Sequence, residues 1–192
     1  MLNKPSPALF LDRDGVVNTD LGYVYKKQDF EFMPGIFELC KLAISAGMKI
    51  VIITNQSGIG RGYFTELQFS DLMAWVLEEF KRQGIIIEGV LHASENPDNQ
   101  PTSETSSRRK PNSVMFLEAS RKFSIDLGSS IMVGDRESDM VAAAKAGVSG
   151  RLLLGDAHEG SAGTAAVSNL KEATVILRSF IFNVIDKSLI VT

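Results

Sequence analysis

Ala8-Leu9-Phe10-Leu11-Asp12-Arg13-Asp14-Gly15 is the stretch that decides the fold. An unbroken apolar run meets charge within one residue. A short run without alternation predicts a strand buried on both faces, as in a parallel sheet. Its C-terminal end then presents Asp12 and Asp14. The same figure recurs downstream. Met48 to Ile53 runs into Thr54-Asn55-Gln56-Ser57-Gly58, and Ser130 to Val133 runs into Gly134-Asp135. Ile85 to Leu91 and Arg151 to Leu154 are predicted as further strands.

Helical periods lie between these runs. Pro34 suits the first turn of a helix that points Ile36, Phe37, Leu39, Cys40 and Ala43 inward and stops at Gly47. Thr65 and Gln68 fit a capping box for a helix over 66–82, with Gly84 as its C-cap. Helices are also predicted over 111–123, 139–146 and 169–177, while the last dozen residues fit helix and strand alike. Gly15 to Met33 predicts a hairpin. Ala93 to Arg109 is nearly devoid of apolar side chains, contains Pro97 and Pro101, and predicts a functional loop. Strands alternating with helices predict an α/β fold: a Rossmann-like parallel sheet with helices on both faces. Residues 1–192 are expected to form one domain, with 93–109 as a polar loop insertion and no separate cap domain. Ligands bind such sheets beyond the C-terminal strand ends, so the polar clusters are expected to converge there.

Composition narrows the classes. The 192 residues are 44% hydrophobic and 22% charged, an ordinary globular balance. Lys plus Arg number 20 against 23 acids, a net charge of −3, which gives no footprint for nucleic acid. No apolar run approaches the roughly 18 residues of a membrane span. The start, MLNKPSPALFLDRDG, lacks the apolar core of a signal peptide. The single cysteine, Cys40, excludes an intrachain disulfide framework and a multi-cysteine zinc cage. The expected setting is a reducing cytoplasm, without nucleic-acid or membrane partners.

The chemistry-bearing residues fall into groups. Asp12 and Asp14 stand two apart at a strand end, where a turn aims both carboxylates into one crevice. Paired carboxylates repel unless a cation lies between them and a phosphate. A nucleophile on phosphorus and an acid toward the leaving oxygen would use that pair. Thr54-Asn55-Gln56-Ser57 offers a hydroxyl and backbone N–H groups suited to phosphoryl oxygens. Arg108-Arg109-Lys110 puts cations before a helix start, which suits an anion better than the helix dipole. Gly134-Asp135 with Asp139 is a candidate hard-cation site. Each group also has an ordinary reading: a charged turn, a glycine turn, a solvated basic turn, and Asp139 as a helix N-cap. The run Gly58-Ile59-Gly60-Arg61-Gly62 lacks the spacing and strand context of a dinucleotide fingerprint. Trp75, Phe69, Leu72, Val76 and Phe80 follow helical spacing and are expected in the core. His92, His158 and Cys40 are given no catalytic part.

Taken in order, FLDRDG at 10–15, Thr54, Lys110 and GDRESD at 134–139 resemble the haloacid dehalogenase superfamily of phosphotransferases, subfamily III. DRDGVVN at 12–18, GYV at 22–24, TNQSGIGRG at 54–62, RKP at 109–111 and AAAKAG at 142–147 are similar to the D-glycero-D-manno-heptose 1,7-bisphosphate 7-phosphatase family, with histidinol-phosphate phosphatase a near relative. The resemblance implies Asp12 as nucleophile and Asp14 as general acid/base. It implies Thr54 and Lys110 on the phosphoryl group, and Mg²⁺ on Asp12, the Asp14 carbonyl and Asp135. It also implies Asp20, Gly22, Tyr23, Asn55, Gln56, Ser57 and Arg109 as the substrate pocket.

The chain departs from the family pattern in the loop LHASENPDNQPTSETSSRRKP, where His92 is the only residue of the usual zinc-ligand type. No zinc is expected. Arg136 stands where the family usually has lysine, which keeps the charge but changes the hydrogen-bond geometry. The expected activity is Mg²⁺-dependent hydrolysis of a small sugar phosphate through an aspartyl-phosphate. Arg109 and Arg136 favour a second anionic group. Histidinol phosphate or another phosphomonoester is the alternative substrate, and a catalytically silent phosphosugar binder the alternative class. A monomer or small homo-oligomer is expected.

Overall fold

The computed structural model describes residues 4–98, 107–156 and 161–185. Its centre is a six-stranded parallel sheet in the order β3-β2-β1-β4-β5-β6. The strands are β1 Ala8–Leu11, β2 Lys49–Asn55, β3 Gly89–Ala93, β4 Ile131–Gly134, β5 Gly150–Leu154 and β6 Ala165–Val167. The helices are α1 Ile36–Ser45, a single turn α2 Ser57–Gly60, α3 Glu66–Arg82, α4 Val114–Phe123, α5 Glu137–Ala146 and α6 Leu170–Phe180.

Alternation along each strand divides the core in two. Leu9, Leu11, Ile50, Ile52 and Val133 face one side of the sheet, against α1, α3 and α6. Phe10, Val51, Ile53, Met132 and Leu153 face the other, against α4 and α5. Both faces are covered, so the central strands read as continuous apolar runs. Phe69, Leu72, Val76 and Phe80 are buried as expected, and Trp75 packs partly buried against Phe30 and Phe32.

Local chemistry sets the helix ends. Thr65 accepts from the Gln68 amide while the Gln68 side chain accepts from the Thr65 amide, closing the capping box. Asn169 caps α6 by accepting from the Glu172 amide. Asp139, read as an N-cap, is the third residue of α5, and its carboxylate reaches back to the Arg136 amide at 3.1 Å.

Other expectations are corrected. Residues 85–88 are not strand: the Ile85 amide still donates to the Phe80 carbonyl at the end of α3, and the paired register with β2 begins at Gly89. The stretch 15–33 is no regular hairpin. It is a loop pinched by single bridges from Asn18 to Asp14 and Phe32, with a 3₁₀ turn at Lys27–Asp29. The helix over 111–123 starts at Val114. β6, which no sequence pattern marked, pairs beside β5 through only three residues, too few to show a period. After α6 a π turn spans Ile181–Ile185. The rest of the tail, His158 and residues 99–106 of the long loop lie outside the described residues. No described helix is long and apolar enough to cross a membrane.

Candidate active site

β1 lies between β2 and β4, so the strand order runs outward through β2 and β3 on one side of it and through β4, β5 and β6 on the other. That is the switch point where parallel sheets open a crevice. A cavity of about 490 Å³ sits there. Asp12, Asp14, Asp20, Gly22, Tyr23, Thr54, Asn55, Gln56, Ser57, Arg109, Lys110 and Arg136 all line it, together with Asp139. Residues more than a hundred positions apart are therefore brought to one wall.

Lys110 is the centre of the floor and is buried. Its ammonium donates to the Ile53 carbonyl at 2.8 Å and stands 2.9 Å from Asp12 Oδ1 and 2.6 Å from Asp139 Oδ1. The Ile53 contact is a hydrogen bond, and the two carboxylate contacts are ion pairs. The backbone of Lys110 is fixed as well: its amide donates to Asn55 Oδ1 at 2.9 Å, and its carbonyl accepts from Asn55 Nδ2 at 3.1 Å. Asn55 lines the pocket, yet both ends of its amide are committed to holding the lysine. Burial alone would lower the Lys110 pKa; Asp12 and Asp139 outweigh it, and the net shift is upward.

Three acids gather opposite. One carboxylate oxygen from each of Asp12, Asp135 and Asp139 lies within 4.8 Å of the others. Burial pushes Asp12 up to about 7, with Asp139 and Asp135 adding repulsion and Lys110 opposing the rise. Asp135 is pushed up to about 6 by burial and Asp139. Asp135 Oδ1 is buried with no hydrogen-bond partner among the described residues. Two glycines make room for this crowding. A Cβ on Gly15, at φ +84°, would stand 2.4 Å from Asp135 Oδ2, and one on Gly134 2.5 Å from Asp139 Cβ. Three clustered carboxylates with an unpartnered oxygen fit a hard, oxygen-seeking divalent cation. Asp139, read from the sequence together with Asp135 as a candidate hard-cation site, belongs to this cluster.

The Asp14 carboxylate stands outside that cluster. It accepts from Arg13, from Asn18 Nδ2 at 3.1 Å and from Gln56 Nε2 at 3.0 Å. Gln56 Nε2 also donates to Thr54 Oγ1 at 2.8 Å. Of the Asp14 groups, only the backbone carbonyl is what the family resemblance would offer to a metal.

At the mouth, Arg136 Nη2 pairs with Asp20 Oδ2 at 3.0 Å, and Asp20 Oδ1 accepts from the Gly22 amide. Arg109 is half-buried. Burial and the neighbouring charge of Arg136 lower its pKa, and its Nη1 is buried with no hydrogen-bond partner among the described residues. Arg108 points elsewhere, to Glu118 at 2.7 Å, so the basic run divides into one surface ion pair and two site cations. His92 meets Glu66 at 2.8 Å beside Phe69. Burial raises the pKa of Cys40, as suits a core thiol.

The HAD-hydrolase-like family model matches residues 107–177. The chain is 45% identical over 161 residues to the D-glycero-alpha-D-manno-heptose-1,7-bisphosphate 7-phosphatase of Burkholderia mallei, covering 83% of this chain and 85% of that protein. It is 47% identical over 148 residues to the D-glycero-beta-D-manno-heptose-1,7-bisphosphate 7-phosphatase of Helicobacter pylori, covering 77% and 83%. The D,D-heptose 1,7-bisphosphate phosphatase of B. bronchiseptica, solved with magnesium and phosphate, superposes with a TM-score of 0.75 at 26% identity over 90% of this chain and 98% of that one. With that sheet, that cluster of acids and relatives this similar over most of its length, the chain belongs to the HAD phosphatases, in the D-glycero-D-manno-heptose 1,7-bisphosphate 7-phosphatase family.

Proposed function

We propose that this chain hydrolyses a small phosphorylated sugar, and that the substrate is D-glycero-D-manno-heptose 1,7-bisphosphate, cleaved at the 7-phosphate. The observation that carries the reading is the convergence of Asp12, Asp14, Thr54 and Lys110 on one cavity beside the Asp12–Asp135–Asp139 cluster. The relatives named above supply the substrate class.

Asp12 is the nucleophile. Its Oδ1 accepts from the Arg13 amide at 2.7 Å and faces Lys110, so the carboxylate is fixed before substrate arrives. It attacks phosphorus in line; the P–O bond to the sugar breaks, and the departing oxygen takes a proton from Asp14. Water then attacks the aspartyl-phosphate and gives its proton back to Asp14, which releases inorganic phosphate, frees the Asp12 carboxylate and returns Asp14 to its acid form. Thr54 and Lys110 hold the phosphoryl oxygens. Mg²⁺ fits the oxygen-only donor set of Asp12, Asp135 and the Asp14 carbonyl, with Asp139 at hand; bound there, it offsets the repulsion between a phosphate dianion and the aspartates.

The long loop needs no zinc in this reading. Glu95 Oε1 accepts from the Arg108 amide at 2.8 Å, and Arg61 pairs with Asp98 at 2.6 Å, so hydrogen bonds and charge pin both ends of the loop. Between Asp14 and β2 the chain holds only the pinched loop, a 3₁₀ turn and α1, and no cap domain is inserted among those described residues. Asp20, Gly22, Tyr23, Gln56, Ser57, Arg109 and Arg136 form its open wall, where Arg109 meets a second phosphate. The proposed setting is the cytoplasm, with the chain as a monomer or small homo-oligomer.

The deciding experiment is phosphate release from heptose 1,7-bisphosphate, histidinol phosphate and a 3′-phosphorylated oligonucleotide, with Mg²⁺ or with EDTA. Release from the heptose bisphosphate alone, abolished by EDTA, is expected. Preference for histidinol phosphate would reassign the substrate, and release from none would leave a binding protein.

A further inference from the structure

Arg13 lies between the two reactive aspartates in the chain; its amide donates to Asp12, and its side chain has no part in the proposed reaction. It is wholly buried, the largest such side chain in the described protein. Its Nη2 donates to both oxygens of Asp14, at 2.6 and 2.8 Å, and its Nε to Oδ1 at 3.1 Å. The same Nη2 reaches the Val24 carbonyl at 2.8 Å, next to the pocket wall at Gly22 and Tyr23. The guanidinium lies 5.7 Å from the centre of the Phe69 ring, and Nη1 has no hydrogen-bond partner among the described residues. A buried ion pair seldom adds stability over apolar packing of the same volume, and one with an unsatisfied donor is costlier still. Fold stability alone therefore does not account for arginine here.

Resting on the reading of Asp14 as the general acid/base, we propose that Arg13 is the positioning residue for that carboxylate. The planar fork fixes where the Asp14 oxygens point, which a single-point cation cannot do. Through Val24 it ties that direction to the wall on which substrate sits. Gln56 and Asn18 hold the carboxylate from other sides. The backbone carbonyl of Arg13 also accepts from the Val17 and Asn18 amides, so the turn and the acid form one unit.

The test compares kcat/KM, which reports steps through loss of the leaving group, on two esters. A sugar phosphate needs a proton for its departing oxygen; p-nitrophenyl phosphate does not. In Arg13→Gln we expect a loss of roughly 10- to 100-fold on the sugar phosphate and little change on the aryl ester. Arg13→Lys should fall between wild type and Arg13→Gln, and inhibition by inorganic phosphate should be unchanged in both. In an Asp14→Asn background, Arg13→Gln should add no further loss in single-turnover measurements. Equal losses on the two esters, or an additive loss in that background, would overturn the proposal. If Arg13→Gln fails to fold, as a thermal melt would show, Arg13→Lys carries the same comparison. Wild-type protein inactive on both esters would instead reject the reading of the site itself.

Discussion

Lys110 Nζ stands 2.6 Å from Asp139 Oδ1, although the two residues come from opposite flanks of β1. That contact joins the lysine proposed to hold the phosphoryl group to the acid cluster, and both partners are shut away from water. Replacing Lys110 by Met would leave Asp12 and Asp139 uncompensated in the interior. Removing one partner of a buried pair typically costs about 3–5 kcal/mol. Lys110→Met should therefore lose turnover and melt well below wild type, with part of the loss recovered in Mg²⁺. A melt within two or three degrees of wild type without metal would contradict this.

The acid cluster also sets a pH dependence. Asp12 and Asp135 are raised from 3.8 to about 7 and about 6. A raised carboxylate pKa means that the folded state holds its proton more tightly than the unfolded chain. Stability from this source is complete below pH 3.8 and is lost as pH rises through about 6 to 7. Metal-free protein should thus become less stable from pH 5 to pH 8. Mg²⁺ competes with those protons, so its stabilising effect should grow over the same range. Thermal melts at both pH values, with EDTA or Mg²⁺, measure both trends; a metal-free protein that gains stability over that interval would refute the assignment.

Removal of the Asp12 carboxylate should end catalysis without ending binding. Asp12→Asn is expected to show no phosphate release above background while still binding substrate in a calorimetric titration. Mass spectrometry on the same sample guards against deamidation. Turnover near wild type would reject Asp12 as nucleophile.

Gly15 is required by geometry at two levels. Its φ of +84° disfavours any side chain, and a Cβ would press on Asp135 Oδ2 at 2.4 Å. Gly15→Ala should raise the Mg²⁺ concentration for half-maximal activity by about tenfold or more, in keeping with displaced metal ligands. An unchanged Mg²⁺ titration would show that Asp135 moves aside at no cost.

Arg109 bears on substrate choice. A half-buried guanidinium beside Arg136, whose Nη1 has no hydrogen-bond partner among the described residues, suits an anion. Arg109→Ala should raise KM for the heptose bisphosphate by about tenfold, the scale of one charge-assisted contact, and leave KM for a monophosphate nearly unchanged. Equal effects on the two would remove Arg109 from the second phosphate site.

The sequence determined the sheet and most of its helices, because each central strand is buried on both faces and shows as an apolar run that stops in charge. It determined the start of α3 through Thr65 and Gln68, since a capping box is wholly local. It also marked Asp12, Asp14, Thr54, Lys110 and Asp135 as strand-end or loop groups of one chemistry. Tertiary structure decided what those groups touch. Whether Asp139 caps a helix or joins the acid cluster depends on how close α5 comes to Lys110, and Gly134 permits that approach by lacking a side chain. Asn55 reads as pocket lining until the backbone of Lys110 lies against it. Arg13 reads as a charge at a strand end, yet its guanidinium turns inward under Asp14 and Val24. Local pattern records which residues are buried or polar. Partnerships between stretches far apart in the chain are settled only when the sheet order brings those stretches side by side.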